Sequence, residues 1–284
     1  MSRDYLDWFQ RLRSFDVHEL ELGCDDLHGW RTTSDQPLSS VQELKSLISK
    51  DEVERAERFH FERDRTRFLA RRGLLRIILG YQLGVDPHTV RFRYPASGKP
   101  EVAEISDKGT LCFSMSHSHG LALYVIGWNR NVGIDVEKIR PLHEAEPIAR
   151  RFFSTSEVTA IQELPESQKI LGFFNCWTRK EAYLKATGDG LSRPLDEIIV
   201  SLVPGETAKL MSVAGDQKEP SRWSLIDLTP APGYVAAVCV EAPGDNSQSG
   251  SEISDSDPTA VKFRFTKGGR FQPDSASLSF SIRE

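Results

Sequence analysis

Cysteine is scarce in this chain, with four among 284 residues: Cys24, Cys112, Cys176 and Cys239. They lie far apart, form no CxxC pair and are mostly flanked by apolar residues, the signature of buried free thiols in a reducing compartment. Long apolar runs are lacking as well. No stretch reaches membrane-spanning length, and the charged segment Met1–Leu12 has no apolar signal core, so a cytoplasmic protein with no membrane contact is expected. Positive charge is not in excess, with Lys and Arg numbering 36 against 41 Asp and Glu, a net charge of −5. That excludes a global basic field for nucleic acid or anionic lipid and leaves room for a local basic pocket. The nucleotide-binding pattern GxxxxGK[ST] is also missing, which excludes a P-loop phosphotransferase. What is present is an ordinary globular composition, 39% hydrophobic and 27% charged, in a chain long enough for two moderate domains or two fused halves.

The most informative stretch is Asn131-Val132-Gly133-Ile134-Asp135-Val136-Glu137. Its alternation is that of a strand with Val132, Ile134 and Val136 on one face and Gly133, Asp135 and Glu137 on the other. Two carboxylates on one face repel unless a cation lies between them, and an oxygen-preferring divalent ion is the economical cation. An exposed strand carrying two solvated acids is the plainer alternative.

Upstream, a weak alternation makes Val17–Leu22 a candidate first strand. Ser39 or Ser40 can cap a helix over Val41–Ile48, and Ser49 can cap the next, with Asp51 and Glu52 in its first turn. A long helix over Asp64–Leu83 follows, with Phe68, Leu75, Ile78 and Leu79 inward and Gly84 as its C-cap. Arginines crowd this region, among them Arg55, Arg67, Arg71, Arg72 and Arg76. Most suit solvated faces or partners for nearby acids, and one or two suit an anionic ligand. After a β-like run over Val90–Tyr94, the turn holding Gly98 and Lys99 is either a plain surface turn or a phosphate-facing one. Strands are expected at Leu111–Ser116 and Leu121–Trp128, the latter in a hairpin with the Val132–Glu137 strand. His117 and His119 lack partners at zinc spacing; Ser116 and His117 suit hydrogen bonding to an anion, or His117 is structural.

In the second half, Ser154 to Glu157 supplies cap chemistry for a helix over Val158–Leu164. The strongest helix spans about Gln168–Thr187 and stops at Gly188. Phe173, Trp177, Glu181 and Lys185 recur along one of its faces, either as a core stripe ending in an ion pair or as a functional edge. Ile198–Leu202, Trp223–Asp227 and Tyr234–Val240 read as strands, and Pro243–Asp257 as a flexible linker. Asp135, Glu137 and Glu181 form a possible three-acid set suited to Mg²⁺, and Lys99, Lys180, Lys185 and His117 suit a polyphosphate ligand.

Taken together, Gly133-Ile134-Asp135-Val136-Glu137-Lys138 and Trp177-Thr178-Arg179-Lys180-Glu181-Ala182-Tyr183-Leu184-Lys185 resemble the signature of 4′-phosphopantetheinyl transferases. Gly98-Lys99-Pro100, Phe113 to Ser118 and Arg58 to Arg76 extend the resemblance across roughly residues 15–242, in the Sfp-type form. Thr178, Arg179 and Met115 depart from the commoner residues without removing a ligand. The resemblance implies an α+β fold of two similar, pseudo-twofold halves (1–130 and 131–242) with the site between them, followed by a tail, 243–284, that it does not cover. It implies a monomer that moves the phosphopantetheine arm of coenzyme A to a serine of an apo acyl or peptidyl carrier protein. By the same resemblance Asp135, Glu137 and Glu181 hold Mg²⁺; Glu181, or Glu137 through a water, is the base; and Lys185 stabilises charge. Arg55, Lys99, Ser116 and His117 grip coenzyme A, with Arg67 a weaker candidate and Trp177 a core buttress.

Overall fold

In the computed structural model, residues 22, 26–95, 98–104 and 106–242 are described, together with the backbone of 263–267 and 279–281. The expected first strand at Val17–Leu22 lies outside the described residues apart from Leu22, as does the 243–257 linker. The first half runs β1 (Leu27–Thr33), α1 (Leu38–Ser46), α2 (Lys50–Glu57), α3 (Glu62–Leu83), β2 (Phe92–Arg93), β3 (Glu101–Val102), β4 (Leu111–Ser118) and β5 (Leu121–Trp128). The second runs β6 (Val132–Lys138), α4 (Ala145–Phe152), α5 (Thr155–Glu163), α6 (Glu166–Thr187), β7 (Ile198–Val200), β8 (Leu210–Val213), β9 (Trp223–Leu228) and β10 (Tyr234–Glu241). Of the tail, β11 (Phe263–Lys267) adds to β1 in parallel and β12 (Ser279–Ser281) pairs with β11. The fold is thus mixed α and β, with a 22-residue helix set against a sheet in each half.

Local chemistry explains most boundaries. Ser49 and Ser154 each form a capping box, with Glu52 and Glu157, and Gly84 and Gly188 end the two long helices in the left-handed region, as glycine C-caps do. One helix begins earlier than expected: α1 starts at Leu38 because Pro37 stands at its N-cap and its carbonyl accepts from the Val41 amide at 3.0 Å, which leaves Ser39 and Ser40 inside the first turn. The β-like run Val90–Tyr94 narrows to Phe92–Arg93.

The hairpin expected between β5 and β6 does not form. Both edges of β5 are taken, by β1 and by β4, so β6 pairs with β10 in a separate three-stranded sheet, β6-β10-β9. The five-stranded sheet has the order β12-β11-β1-β5-β4, and its strands β1, β5 and β4 bury residues on both faces. Leu111, Phe113, Tyr124, Ile126 and Trp128 pack toward α3 with Leu74, Leu75 and Ile78. On the other face Leu27, Leu123 and Val125 meet Val132, Ile134 and Val136 of β6.

Serines join the two sheets. Ser114, Ser116 and Ser118 alternate along β4, and their hydroxyls accept from the amides of Ile134, Val136 and Lys138 at 3.2, 3.3 and 3.2 Å. The edge of β6 that does not face β10 is thereby satisfied by side chains instead of a neighbouring backbone, as buried amides require.

Gly133 and Lys180 fix α6 against β6. A Cβ on Gly133 would stand 2.0 Å from the Ala182 carbonyl oxygen and 2.4 Å from the Ala186 nitrogen. The residue therefore serves strand–helix contact instead of leaving room for a ligand. Lys180 is fully buried and donates to Glu157 at 2.6 Å and to the carbonyls of Leu195 and Ile198. It is not a ligand-facing cation. Arg179, 1% exposed, donates to Asp227 and to Ser201.

Gly133→Ala is expected to lower stability by about 3 kcal/mol, at the upper end for an overpacked core, seen as a lower midpoint in urea; an unchanged midpoint would contradict the packing role. Lys180→Ala strands the buried Glu157 and is expected to cost about 3–5 kcal/mol. Lys169→Ala, which removes an exposed pair with Glu166, is expected to cost under about 1 kcal/mol in the same denaturation series.

Candidate active site

β6 alternates as its sequence predicts, but its polar face is covered by α6, so the plainer reading of two solvated acids does not hold. Asp135 is only 5% exposed. Its Oδ1 accepts from the Ser116 hydroxyl at 2.8 Å and from the Lys185 ammonium at 2.6 Å. Among the described residues its buried Oδ2 has no hydrogen-bond partner. Glu137, half-buried, accepts from the Ser118 hydroxyl at 2.8 Å. The seam serines therefore act twice: Ser116 and Ser118 accept a β6 amide and donate to a β6 carboxylate.

Asp135, Glu137, Glu181 and Lys185 meet Met115, Ser116, His117 and Trp177 around a cavity of about 320 Å³. Burial pushes the Glu137 carboxyl up from its ordinary range, and the neighbouring Asp135 adds to this. Glu181 is pushed up by burial first, then by Asp135 and Glu137. The charge of Asp135 thus bears on both glutamates, as crowded carboxylates do. Lys185 is the ammonium set among them, and it also donates to Ser116 at 3.1 Å. Among the described residues no three His, Cys, Asp or Glu side chains are already arranged to hold a metal ion. An all-oxygen donor set with one orphaned buried carboxylate oxygen nevertheless fits a hard divalent cation, with water or ligand oxygens completing its shell.

His117 leaves β4 on the face that α3 covers, in line with Phe113 and Met115. Although the residue is exposed at the cavity mouth, partial desolvation of the ring first and then the charges of Arg71, Lys185 and Arg67 hold its pKa down to about 4. At neutral pH it is uncharged and has one ring N–H to offer. His119 does not join it. It sits with Gly120 at positive φ in the two-residue turn between β4 and β5, and its Nδ1 lies 3.1 Å from the Ser118 hydroxyl.

Two expected residues lie elsewhere. Lys99 donates to the carbonyls of Val132 and Ala186, each at 3.0 Å; it bridges the first half to the start of β6 and the last turn of α6. Burial lowers its pKa. Arg55 is exposed on α2, with its guanidinium over the Phe68 ring. Arg67 is engaged by Asp35 at 2.6 and 2.8 Å. Trp177 has both characters, packing on Phe153 and Phe173 while lining the cavity. Ser114 and Ser118 are the residues that sequence reading missed, and Ser116 was named there only as an anion donor; the alternation in Phe113-Ser114-Met115-Ser116-His117-Ser118 was the available signal.

Comparison with known proteins covers both halves. Residues 131–239 match the 4′-phosphopantetheinyl transferase superfamily, and residues 28–127 match the family described as 4′-phosphopantetheinyl transferase, N-terminal. The chain is 46% identical over 221 residues to the 4′-phosphopantetheinyl transferase HetI of Nostoc sp., covering 78% of this chain and 90% of that one. It is 30% identical to the 4′-phosphopantetheinyl transferase Sfp of Bacillus subtilis, over 74% of this chain and 90% of that one. A human relative, L-aminoadipate-semialdehyde dehydrogenase-phosphopantetheinyl transferase, is 27% identical over 76% and 74% of the two chains. The chain belongs to the 4′-phosphopantetheinyl transferase superfamily and is of the Sfp type.

Proposed function

We propose that the cavity between β4, β6 and α6 transfers the phosphopantetheine arm of coenzyme A to a serine hydroxyl of an apo carrier protein, releasing adenosine 3′,5′-bisphosphate. The observation that carries the reading is the convergence of Asp135, Glu137, Glu181 and Lys185 with Ser116 and His117 on one cavity. Asp135, Glu137 and Glu181 would hold Mg²⁺, with the unpartnered Asp135 Oδ2 as the readiest ligand. Held by these residues, Mg²⁺ would supply neutralisation of charge on the pyrophosphate and on the leaving bisphosphate.

The chain's own groups do the rest. Lys185, already on a flexible stem beside Asp135, turns to the phosphate oxygens as negative charge builds on them. Glu181, or Glu137 through a water, takes the proton from the carrier serine. Ser116 and the neutral His117 donate to phosphate oxygens. Lys99 fixes the backbone of β6 and α6 on which these groups stand, and Arg55, exposed on α2, is assigned to the nucleotide end. All these residues belong to one chain, which suits a monomer, and among the described residues no helix is long and apolar enough to cross a membrane, which suits a cytoplasmic enzyme.

With coenzyme A and Mg²⁺, an apo carrier protein is expected to gain the mass of one phosphopantetheine arm in intact-mass spectrometry, and chelation of the metal to stop the gain. No mass gain on carriers from fatty-acid, polyketide and peptide synthases would overturn the reading. Asp135→Ala and Glu181→Ala are expected to cut kcat/KM by ~100-fold or more while leaving the circular dichroism spectrum unchanged, the order lost with a charge-stabilising group. Near-normal turnover in either variant would sink the assigned roles.

A further inference from the structure

His119 is an exposed residue whose backbone is held in an uncommon conformation, with φ at 46° in the left-handed region. A histidine persists there only where its surroundings fix it. Both halves do so. The Tyr234 hydroxyl of β10 donates to the His119 carbonyl at 3.2 Å, and the Ser34 amide donates to the next carbonyl, that of Gly120, at 2.6 Å. Tyr234 pairs with Lys138 at the end of β6, so the turn between β4 and β5 is tied to the strand that carries Asp135 and Glu137.

The seam serines show what the ring does there. Each hydroxyl has one proton to give and two lone pairs to fill. Ser116 accepts from the Val136 amide at 3.3 Å and from the Lys185 ammonium at 3.1 Å, and its proton goes to Asp135. Ser118 repeats the pattern two residues along. It accepts from the Lys138 amide at 3.2 Å and gives its proton to Glu137 Oε2 at 2.8 Å. His119 Nδ1, 3.1 Å from the same oxygen, fills the remaining lone pair. Because the hydroxyl proton is spent on Glu137, Nδ1 carries a proton of its own and donates it. An Nδ1 without a proton would compete with Glu137 for the only one Ser118 has. Ser114 is the bare case: it accepts from the Ile134 amide at 3.2 Å and, among the described residues, hydrogen-bonds neither a carboxylate nor a second donor.

We infer that His119 is a positioning residue of the metal site: its Nδ1–H turns the Ser118 hydroxyl onto Glu137 Oε2 and so leaves Oε1 set for the divalent cation. The inference deepens the proposed function and rests on it, since it presumes Glu137 as a metal ligand. Donors behind a ligating carboxylate fix its orientation, and metal affinity depends on them. His119 does for Glu137 what Lys185 does for Asp135, through the neighbouring serine in each case.

Titration of the full chain with Mn²⁺ in the presence of coenzyme A, with free Mn²⁺ read by electron paramagnetic resonance, tests this without turnover. Ser118→Ala is expected to weaken Mn²⁺ binding by roughly tenfold to hundredfold, the range for a lost donor behind a ligand. His119→Gly, which removes the ring and suits the left-handed backbone, is expected to lose about threefold to tenfold, one step further from the metal. His119→Asn tolerates the same backbone and restores an N–H donor, and is expected to recover most of that loss. Ser114→Ala and Ser118→Ala each strip an acceptor from a β6 amide, so both are expected to lower the urea midpoint, while Ser114→Ala leaves Mn²⁺ affinity unchanged. Equal Mn²⁺ affinities in the two serine variants, or wild-type affinity in His119→Gly, would overturn the inference and leave the transferase reading intact. Failure of the unmodified protein to bind Mn²⁺ would overturn the metal assignment and this inference together.

Discussion

The structure depends on the hydrogen bonds between alternate serines of β4 and alternate amides of β6. A strand edge buried without partners costs more than a fold of this size can carry repeatedly, and β6 has β10 on one side only. The hydroxyls of Ser114, Ser116 and Ser118 take the place of a neighbouring strand. A backbone neighbour would have merged the sheets and sent the acids of β6 elsewhere. Side-chain bridging instead holds the edge of β6 against the face of the first sheet. Each hydroxyl keeps a proton to give, and two of the three give it to Asp135 and Glu137. One device joins the halves and orients the acids.

The second constraint is the approach of α6. Gly133 lets the helix backbone come against the strand, while Lys180 and Arg179 tie the helix on its far side to Glu157, Asp227 and the Ser201 segment. These ties place Glu181 and Lys185 opposite Asp135 and Glu137. The resulting group of three acids and one ammonium is electrostatically unfinished: two acids have raised pKa values and, among the described residues, one carboxylate oxygen has no partner. A polyanionic ligand arriving with a divalent cation would complete it, so binding and site assembly are one event electrostatically.

Much of this was legible in the sequence, and particular residues show where legibility ended. The two long helices and their glycine caps, the capping boxes at Ser49 and Ser154, and the alternation of β6 are local chemistry, and local chemistry is what a sequence displays. The hairpin between β5 and β6 failed because strand adjacency is a global matter: the edges of β5 were claimed by a strand nearly a hundred residues earlier and by β4. Lys99, Lys180 and Gly133 had the right composition for a ligand site, but the first two spend their charge on backbone carbonyls or a buried acid, and the third serves helix contact. Alternating serines resemble an ordinary polar strand face until the partner edge is known.

The central claim is that the seam, with α6 against it, shapes one cation-binding group from Asp135, Glu137 and Glu181. It is tested most directly by a crystal structure of the protein with coenzyme A and Mn²⁺, the metal being located by its anomalous scattering. The account predicts a single peak between those three carboxylates and the pyrophosphate, with the Lys185 ammonium moved from Asp135 to a phosphate oxygen. A metal bound elsewhere, with Lys185 still on Asp135, would contradict it.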